Sequence, residues 1–157
     1  MWVTEDLVPR PRDIYDITKL AAEELCALFA HEASLPVICL RVARFFPERP
    51  EIVAVHRLCR GVDLRDATTA HLLALDHRTM PFGVFNISAR PPFDENEVEE
   101  LLVNAPDVIR RYYPAVDHVF AARQWQLPPT IDSVYVIDRA ERALDYRPVR
   151  NFDAYLG

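Results

Sequence analysis

The chain has 157 residues, of which 50% are hydrophobic and 27% are charged, a composition typical of a soluble globular protein with one domain. Its 24 acidic residues against 18 basic ones give a net charge of −6, which argues against nucleic acid as a partner because binding to phosphates needs a basic surface. No apolar run approaches the roughly 18–20 residues of a membrane span, and the acidic N-terminus does not resemble a signal peptide, so we expect no membrane partner.

Motifs for phosphate loops, disulfides and metals are missing from the sequence. Its three glycines, Gly61, Gly83 and Gly157, lie too far apart for a glycine-rich phosphate loop of either common type. The three cysteines are widely separated and form no C-x-x-C motif, which predicts buried, reduced thiols in a cytoplasmic protein. The five histidines have no metal-ligand spacing, so the sequence predicts no metal site.

After an extended N-terminal segment, the first predicted element is a helix over residues 13–33. This stretch is rich in Ala, Leu and Glu, contains no internal Pro or Gly, and precedes Pro36. Apolar residues lie nearly all round it, so we expect the helix to be buried on more than one side.

This helix contains the only lysine of the chain, Lys19, four residues after Tyr15, whereas the other seventeen basic residues are arginine. Residues at this spacing share one helix face. An ammonium held near a phenol lowers the pKa of the tyrosine from about 10, so that it can act as a general acid or base. With six tyrosines in the chain, an accidental placement of the lysine remains the alternative.

The rest of the sequence predicts strands and helices in alternation. A continuous apolar run predicts a buried parallel strand over 37–42, and two prolines in 47–60 favour a loop before a short helix. Asp66 is predicted to cap the next helix, and the acidic run 94–100 is predicted to be a solvated first helical turn. Further predicted elements are helices over 66–76, 94–104 and 106–113, strands over 83–87 and 133–137, and a helix that opens with a capping box at 138–141.

Five segments, taken in order, resemble a known family. Tyr15 and Lys19 with the following Leu-Ala-Ala-Glu resemble the catalytic helix of the extended short-chain dehydrogenases/reductases, the NAD-dependent epimerase/dehydratase family. Four further segments follow in the family's order. LPVICLR at 35–41 resembles the strand after the catalytic helix, and RGVDLRDA at 60–67 resembles the VDVRDVAxA segment. VFNIS at 84–88 resembles the following strand, and ALDYRP at 143–148 resembles the terminal motif. Arg44 stands where most extended members have asparagine, and this form resembles a less characterised branch of NAD(P)-dependent oxidoreductases.

The resemblance implies an α/β fold, namely the partial Rossmann-like second half of such an enzyme with a small mixed α/β substrate-binding region. It implies that residues 1–157 form a single partial domain, in which about 13–46 and 60–89 are Rossmann-side elements and about 90–157 are mostly substrate-side and C-terminal elements. The helix over 13–33 then packs on the sheet with one side and joins a dimer interface with the other. The implied partners are a homo-oligomer or the missing N-terminal half.

The resemblance also implies a mechanism with NAD or NADP. Tyr15 exchanges a proton with the substrate hydroxyl, Lys19 lowers the pKa of Tyr15 and binds the nicotinamide ribose, and Arg44 lies beside the cofactor. Arg60 is the nearest match to the arginine that meets a substrate phosphate in sugar-nucleotide members. The family's third catalytic residue, a Ser or Thr, has no counterpart at the expected distance, since Thr4 is too close to Tyr15.

Because the dinucleotide-binding half is missing, we expect this chain to be inactive alone. Two alternatives stay open, a non-catalytic protein-interaction module and one half of a split enzyme. The arginines that could form an anionic-substrate site could also be surface residues paired with acids, and we favour that simpler interpretation for the set Arg41, Arg44, Arg57 and Arg60.

Overall fold

The computed structural model describes residues 1–77 and 79–157 and shows an α/β chain, as the sequence predicts. In chain order its elements are β1 (Trp2–Val3), α1 (Ile14–Glu32), β2 (Val37–Val42), α2 (Pro50–Cys59), α3 (Leu64–Asp76), β3 (Phe82–Ile87), α4 (Val98–Tyr112), α5 (Val116–Ala122), β4 (Val134–Tyr135) and α6 (Asp138–Leu144), with 3-10 turns at Glu95–Glu97 and Phe152–Tyr155. The strand predicted over 37–42 has the predicted bounds.

Two small parallel sheets position the rest of the fold. Strands β2 and β3 pair in parallel along their whole length, from Val37 opposite Phe82 to Val42 opposite Ile87. The chain between them passes through α2 and α3, the crossover that a parallel pair requires. Strands β1 and β4 form the second parallel pair, which joins the N-terminal end of the chain to its C-terminal part.

Two hydrophobic clusters stabilise the described residues. One lies between β2, β3, α3 and α6, where Phe85, Ile87 and Tyr146 are almost fully buried. The other lies between α2, α4, α5 and the last turn, around Leu101 and Phe152. At about 25 cal/mol for each Å² of apolar surface removed from water, such side chains supply most of the stabilising free energy.

Helix α1 is much more exposed than the sequence predicts. Among its residues only Ala30 is buried, while Leu25, Leu28 and Phe29 each expose more than half of their surface. The helix contacts β2 with one side, and no described residue covers its outer side. The prediction of burial on more than one side is therefore wrong for the described residues.

Two predicted helix caps are also wrong. Helix α3 is capped by Asp63, whose side chain accepts a hydrogen bond from the Arg65 backbone N–H, and not by Asp66. Asp66 is buried and accepts hydrogen bonds from Arg150 instead. Helix α6 has no side-chain cap, because Asp138 is already its first helical residue and the N-cap is Ile137, whose side chain has no hydrogen-bond acceptor; Glu141 forms an ion pair with Arg90 at 3.1 Å.

The acidic run before α4 begins with a capping box formed by Asp94 and Glu97, which was not predicted from the sequence. The break predicted between the helices over 94–104 and 106–113 is confirmed, because the backbone of α4 is non-helical at Asn104 (φ −150°, ψ 71°), just before Pro106; the first segment starts at Val98, after the 3-10 turn. The Ala105 N–H donates instead to the Pro129 carbonyl at 3.1 Å. Helix α5 was not predicted from the sequence.

Candidate active site

Tyr15 and Lys19 lie in the first two turns of α1. This helix begins at Ile14 because the Asp13 side chain accepts a hydrogen bond from the Asp16 backbone N–H at 2.8 Å, which satisfies a free donor of the first turn. The Lys19 Nζ lies 5.2 Å from the centre of the Tyr15 ring, so the phenol and the ammonium are neighbours on one helix face. Tyr15 is 67% exposed and accessible to a ligand.

Both side chains line one cavity of about 400 Å³. Its other walls are the N-terminal loop, the C-terminal end of β2 at Val42, Asn86 in β3 and Tyr135 in β4. The cavity therefore lies toward the carboxyl ends of the parallel strands, where open α/β sheets bind their ligands. Thr4, whose sequence position argued against a catalytic role, also lies in this wall.

The N-terminal loop is fastened to the sheet by Glu5. This carboxylate is almost fully buried and accepts a hydrogen bond from the Asn86 backbone N–H at 2.8 Å. The Asn86 side chain donates to the Val3 carbonyl at 3.0 Å, and Arg41 donates to the Glu5 carbonyl at 3.2 Å. These contacts hold the loop as a wall of the cavity.

An ion pair between Glu23 and Arg41 sets the position of α1 relative to β2. Arg41 Nε and Nη2 donate to the two carboxylate oxygens of Glu23 at 3.0 and 2.6 Å, and both residues line the cavity. The hydrogen bond to Glu23 raises the pKa of Arg41. Sequence reasoning missed Glu23 as a site residue, although it lies one helical turn after Lys19 at the same i, i+4 spacing.

Arg44 and Arg60 lie in a neighbouring cavity of about 480 Å³ rather than beside Tyr15 and Lys19. Arg44 Nε donates to Glu48 at 3.1 Å, which raises the pKa of Arg44, and Arg60 Nη1 donates to Asp132 at 3.2 Å. Val42 and Tyr135 line both cavities, so the two spaces adjoin at the end of β2.

His56 completes the second cavity. Its Nδ1 lies 3.3 Å from Glu48, while burial lowers its pKa. Each arginine of the candidate anion site has a carboxylate nearby, but Arg57 is buried, so the simpler interpretation as a surface residue paired with an acid is wrong for Arg57. The pairs are Arg41–Glu23, Arg44–Glu48, Arg57–Asp63 and Arg60–Asp132.

The described residues fit one end of a nicotinamide dinucleotide. Tyr15 and Lys19 lining a common cavity suit the nicotinamide riboside, because both side chains carry hydrogen-bond donors. A pyrophosphate needs glycines open to a ligand, but a Cβ on Gly61 would lie 2.7 Å from the His56 Cβ, and one on Gly83 would collide with the Met80 sulfur. These two glycines pack against the protein itself.

Neither a metal cluster nor a membrane helix is found among residues 1–77 and 79–157. No group of three or more His, Cys, Asp or Glu side chains in this part of the chain is arranged to hold a metal ion. None of its helices is both long and apolar enough to cross a bilayer.

No protein-family model and no curated protein matches the sequence. Solved structures do match its fold. UDP-N-acetylglucosamine 4-epimerase from Bacillus cereus is 21% identical with a TM-score of 0.61 and is matched over 98% of this chain and 54% of its own. UDP-glucuronic acid 4-epimerase from Bacillus cereus, in complex with UDP-glucuronic acid and NAD, is 19% identical with a TM-score of 0.60, over 99% and 54%. RMD from Pseudomonas aeruginosa, complexed with NADPH, is 18% identical with a TM-score of 0.58, over 98% and 56%.

These similarities establish the fold. The chain spans about half the length of the solved structures it matches. The chain shares its fold with about half of each of these structures, so the predicted α/β, partial Rossmann-like fold is confirmed. Two of the three similar structures hold NAD or NADPH, which are the cofactors that the sequence resemblance implies.

Proposed function

We propose that this chain forms the half of an NAD(P)-dependent epimerase/dehydratase-like oxidoreductase that carries the catalytic helix and binds the substrate. The observation that carries the proposal is the cavity lined by both Tyr15 and Lys19, which adjoins the cavity of Arg44 and Arg60. A proton-transfer pair beside a cationic recess is the arrangement that chemistry on an anionic substrate needs.

In this proposal Tyr15 exchanges a proton with the substrate hydroxyl through its phenol oxygen. Lys19 donates to the nicotinamide ribose. The Glu23–Arg41 pair keeps α1 at a fixed position against β2, so that both groups stay aimed into the cavity. When bound, the cofactor supplies the acceptor and donor of the hydride.

The substrate in this proposal is a sugar nucleotide whose phosphates reach Arg60, with Arg44 between substrate and cofactor. Arg60 is 45% exposed and bonded to the exposed Asp132, so a phosphate can replace the carboxylate at small cost. Two similar structures bear the names of UDP-sugar epimerases, which supports this substrate class.

Residues 1–157 contain no glycine-rich loop for a pyrophosphate, so we propose negligible activity for this chain alone. A dinucleotide-binding half completes the site in the cytoplasm, where the three free thiols stay reduced. Residues about 13–46 and 60–89 then form the Rossmann side, and about 90–157 form mostly the substrate side.

To test this proposal, the binding of nicotinamide mononucleotide is compared with that of AMP, since the two compounds represent the two ends of the dinucleotide. We expect nicotinamide mononucleotide to bind and to shift the NMR resonances of Tyr15 and Lys19, whereas AMP does not bind. Lys19→Met weakens this binding about tenfold. Thr18→Ala is the matched control, because Thr18 is the neighbour of Lys19 on α1, does not line the cavity and binds the Tyr15 carbonyl.

Three results would contradict this proposal: micromolar binding of NAD to the chain alone, equal binding of AMP, and equal effects of the two variants. For the substrate, we expect UDP-glucuronic acid to bind less tightly to Arg60→Gln than to the unchanged chain. Arg49→Gln, at an exposed arginine outside that cavity, leaves the affinity unchanged.

A second candidate function is a non-catalytic protein-interaction module; one half of a split enzyme is a separate alternative, which the first proposal includes if the dinucleotide-binding half is another chain. The interaction module is favoured by the outer side of α1, where Leu25, Leu28 and Phe29 expose a row of apolar side chains. Exposed apolar patches of this kind mark protein–protein contacts. This reading and the enzymatic one differ in the nucleotide titration, since a pure interaction module binds no nicotinamide mononucleotide.

A further inference from the structure

A third cavity, of about 400 Å³, lies between the loop after β2, helix α2 and the N-terminal end of α3. Its walls do not include Tyr15, Lys19 or Arg60. They share Arg44, Glu48 and His56 with the second cavity, whereas the residues used below, Arg57, Phe45 and Phe46, have no part in either proposed function. The volume is within the range of small-molecule sites.

One wall of this cavity contains a buried cation with too few partners. Arg57 is 6% exposed, yet its Nε has no hydrogen-bond partner among the described residues. Its nearest carboxylate oxygen, Asp63 Oδ2, lies 3.5 Å from Nη2, which is too long for a good hydrogen bond. A buried guanidinium that is left unsatisfied in this way costs free energy, which a bound anion would recover.

Asp63 does not neutralise Arg57 fully because it is engaged by Arg65. The Arg65 side chain donates to both Asp63 oxygens, at 2.8 and 3.1 Å, and the Arg65 backbone N–H donates at 3.0 Å. These hydrogen bonds lower the pKa of Asp63 to about 2, so the carboxylate is charged but already shared.

Part of the cavity wall is aromatic. Phe45 and Phe46 stack with their ring centres 5.4 Å apart and their planes 19° from parallel, and both rings are largely exposed. The guanidinium carbon of Arg44 lies 5.6 Å from the centre of the Phe46 ring. Two exposed, stacked rings beside a cavity form a surface on which a flat ligand can stack.

The charges around the cavity favour a ligand with a single negative charge. Arg44 is paired with Glu48, and Arg65 is paired with Asp63. Arg57 is the cation in the wall whose charge these pairs leave largely uncompensated. A carboxylate matches its guanidinium group in shape as well as in charge.

We propose that this cavity binds a planar aromatic monocarboxylate, of which benzoate is the simplest, with its carboxylate on Arg57 and its ring against Phe45 and Phe46. The aromatic wall accounts for the flat apolar part of the ligand, and the single uncompensated guanidinium accounts for its one charge.

The experiment is a titration of the chain, followed by saturation-transfer NMR, with three compounds of similar size. We expect benzoate to bind more tightly than cyclohexanecarboxylate, which has the charge without the flat ring, and benzyl alcohol, which has the ring without the charge, not to bind. Absence of benzoate binding, or equal binding of all three compounds, overturns the proposal.

Variants locate the site. Arg57→Gln weakens benzoate binding about tenfold. Because Arg57 is buried and this variant can fail to fold, Phe46→Ala at an exposed position provides a second test and also weakens binding. Arg49→Gln, close in sequence but outside the cavity wall, leaves the affinity unchanged, and so does Lys19→Met. Equal benzoate affinities of the Phe46→Ala and Arg49→Gln variants would overturn the assignment of this cavity as the benzoate site. A negative result in the titration with nicotinamide mononucleotide would leave the benzoate result unaffected.

Discussion

At the scale of single residues, Asp63 both caps helix α3 and forms ion pairs with Arg57 and Arg65. Its side chain accepts the Arg65 backbone N–H at the start of α3 and binds the Arg65 guanidinium with both oxygens. The Arg65 hydrogen bonds are the largest cause of the lowered pKa of Asp63, about 2 against a usual value near 3.8. One carboxylate therefore stabilises α3 both by its capping geometry and by its charge.

The lowered pKa predicts how stability depends on pH. Since the folded protein binds this proton more weakly than the unfolded chain does, the contribution of Asp63 is complete above about pH 4 and is lost as the pH falls toward 2. We expect urea unfolding of Asp63→Asn, which keeps a good capping residue, to depend less on pH between 4 and 2 than that of the unchanged chain. Parallel pH curves for the two proteins would contradict this assignment.

At the scale of elements, the junction of α2 with the β2–β3 sheet is packed around Gly61. The Gly61 carbonyl accepts hydrogen bonds from the Ala89 N–H at 2.7 Å and from the Ser88 hydroxyl at 3.1 Å. Beyond the end of β2, the backbone of Arg44 forms an isolated parallel β-bridge with Gly61. The backbone of His56, at the end of α2, leaves no space for a side chain there.

A methyl group at this junction is expected to destabilise the fold. The Cβ in Gly61→Ala would lie 2.7 Å from the His56 Cβ and 2.9 Å from the His56 carbonyl carbon, so the backbone has to move. We expect the free energy of unfolding to fall by about 1–3 kcal/mol, the usual range for overpacking, as measured by urea denaturation. Gly157→Ala is the control, because nothing lies within 4 Å of its Cβ, and an equal loss in both variants would rule out the packing argument.

At the scale of the whole molecule, the described residues leave one side of the fold without a cover. Helix α1 exposes Leu28 and Phe29, and strand β2 is half-buried along its length and pairs only with β3 within the described part of the chain. An apolar helix beside an unpaired strand edge is a surface that tends to associate. The similar solved structures are almost twice as long as this chain, so they contain further residues that such a surface can contact.

We predict that the isolated chain self-associates through this side. A charge in Phe29→Glu opposes burial of the α1 surface, so sedimentation velocity should show a shift toward monomer. Val103→Glu, at a more exposed apolar position on α4, is the control and should leave association unchanged. A monomeric unchanged chain at all concentrations, or equal effects of the two variants, would contradict the prediction.

The sequence by itself determined the Tyr15–Lys19 spacing, the strand over 37–42 and the type of fold, but not the helix caps at Asp66 and at 138–141. The i, i+4 spacing of Tyr15 and Lys19 was enough to predict that they are neighbours, because the helix geometry depends only on nearby residues. The apolar run 37–42 predicted β2 with its bounds for a similar reason, and the ordered segments around it predicted the half-Rossmann fold.

Only the tertiary structure decided which side chains meet across the fold. Asp66 was predicted to cap α3, but it binds Arg150 from the far end of the chain, and Arg60 likewise binds Asp132. Arg44 lines a cavity that adjoins the cavity of Tyr15 rather than that cavity itself, a separation that no local pattern encodes. Such pairings depend on how distant segments pack, since the free energy of a charge depends on its burial and partners rather than on its neighbours in sequence.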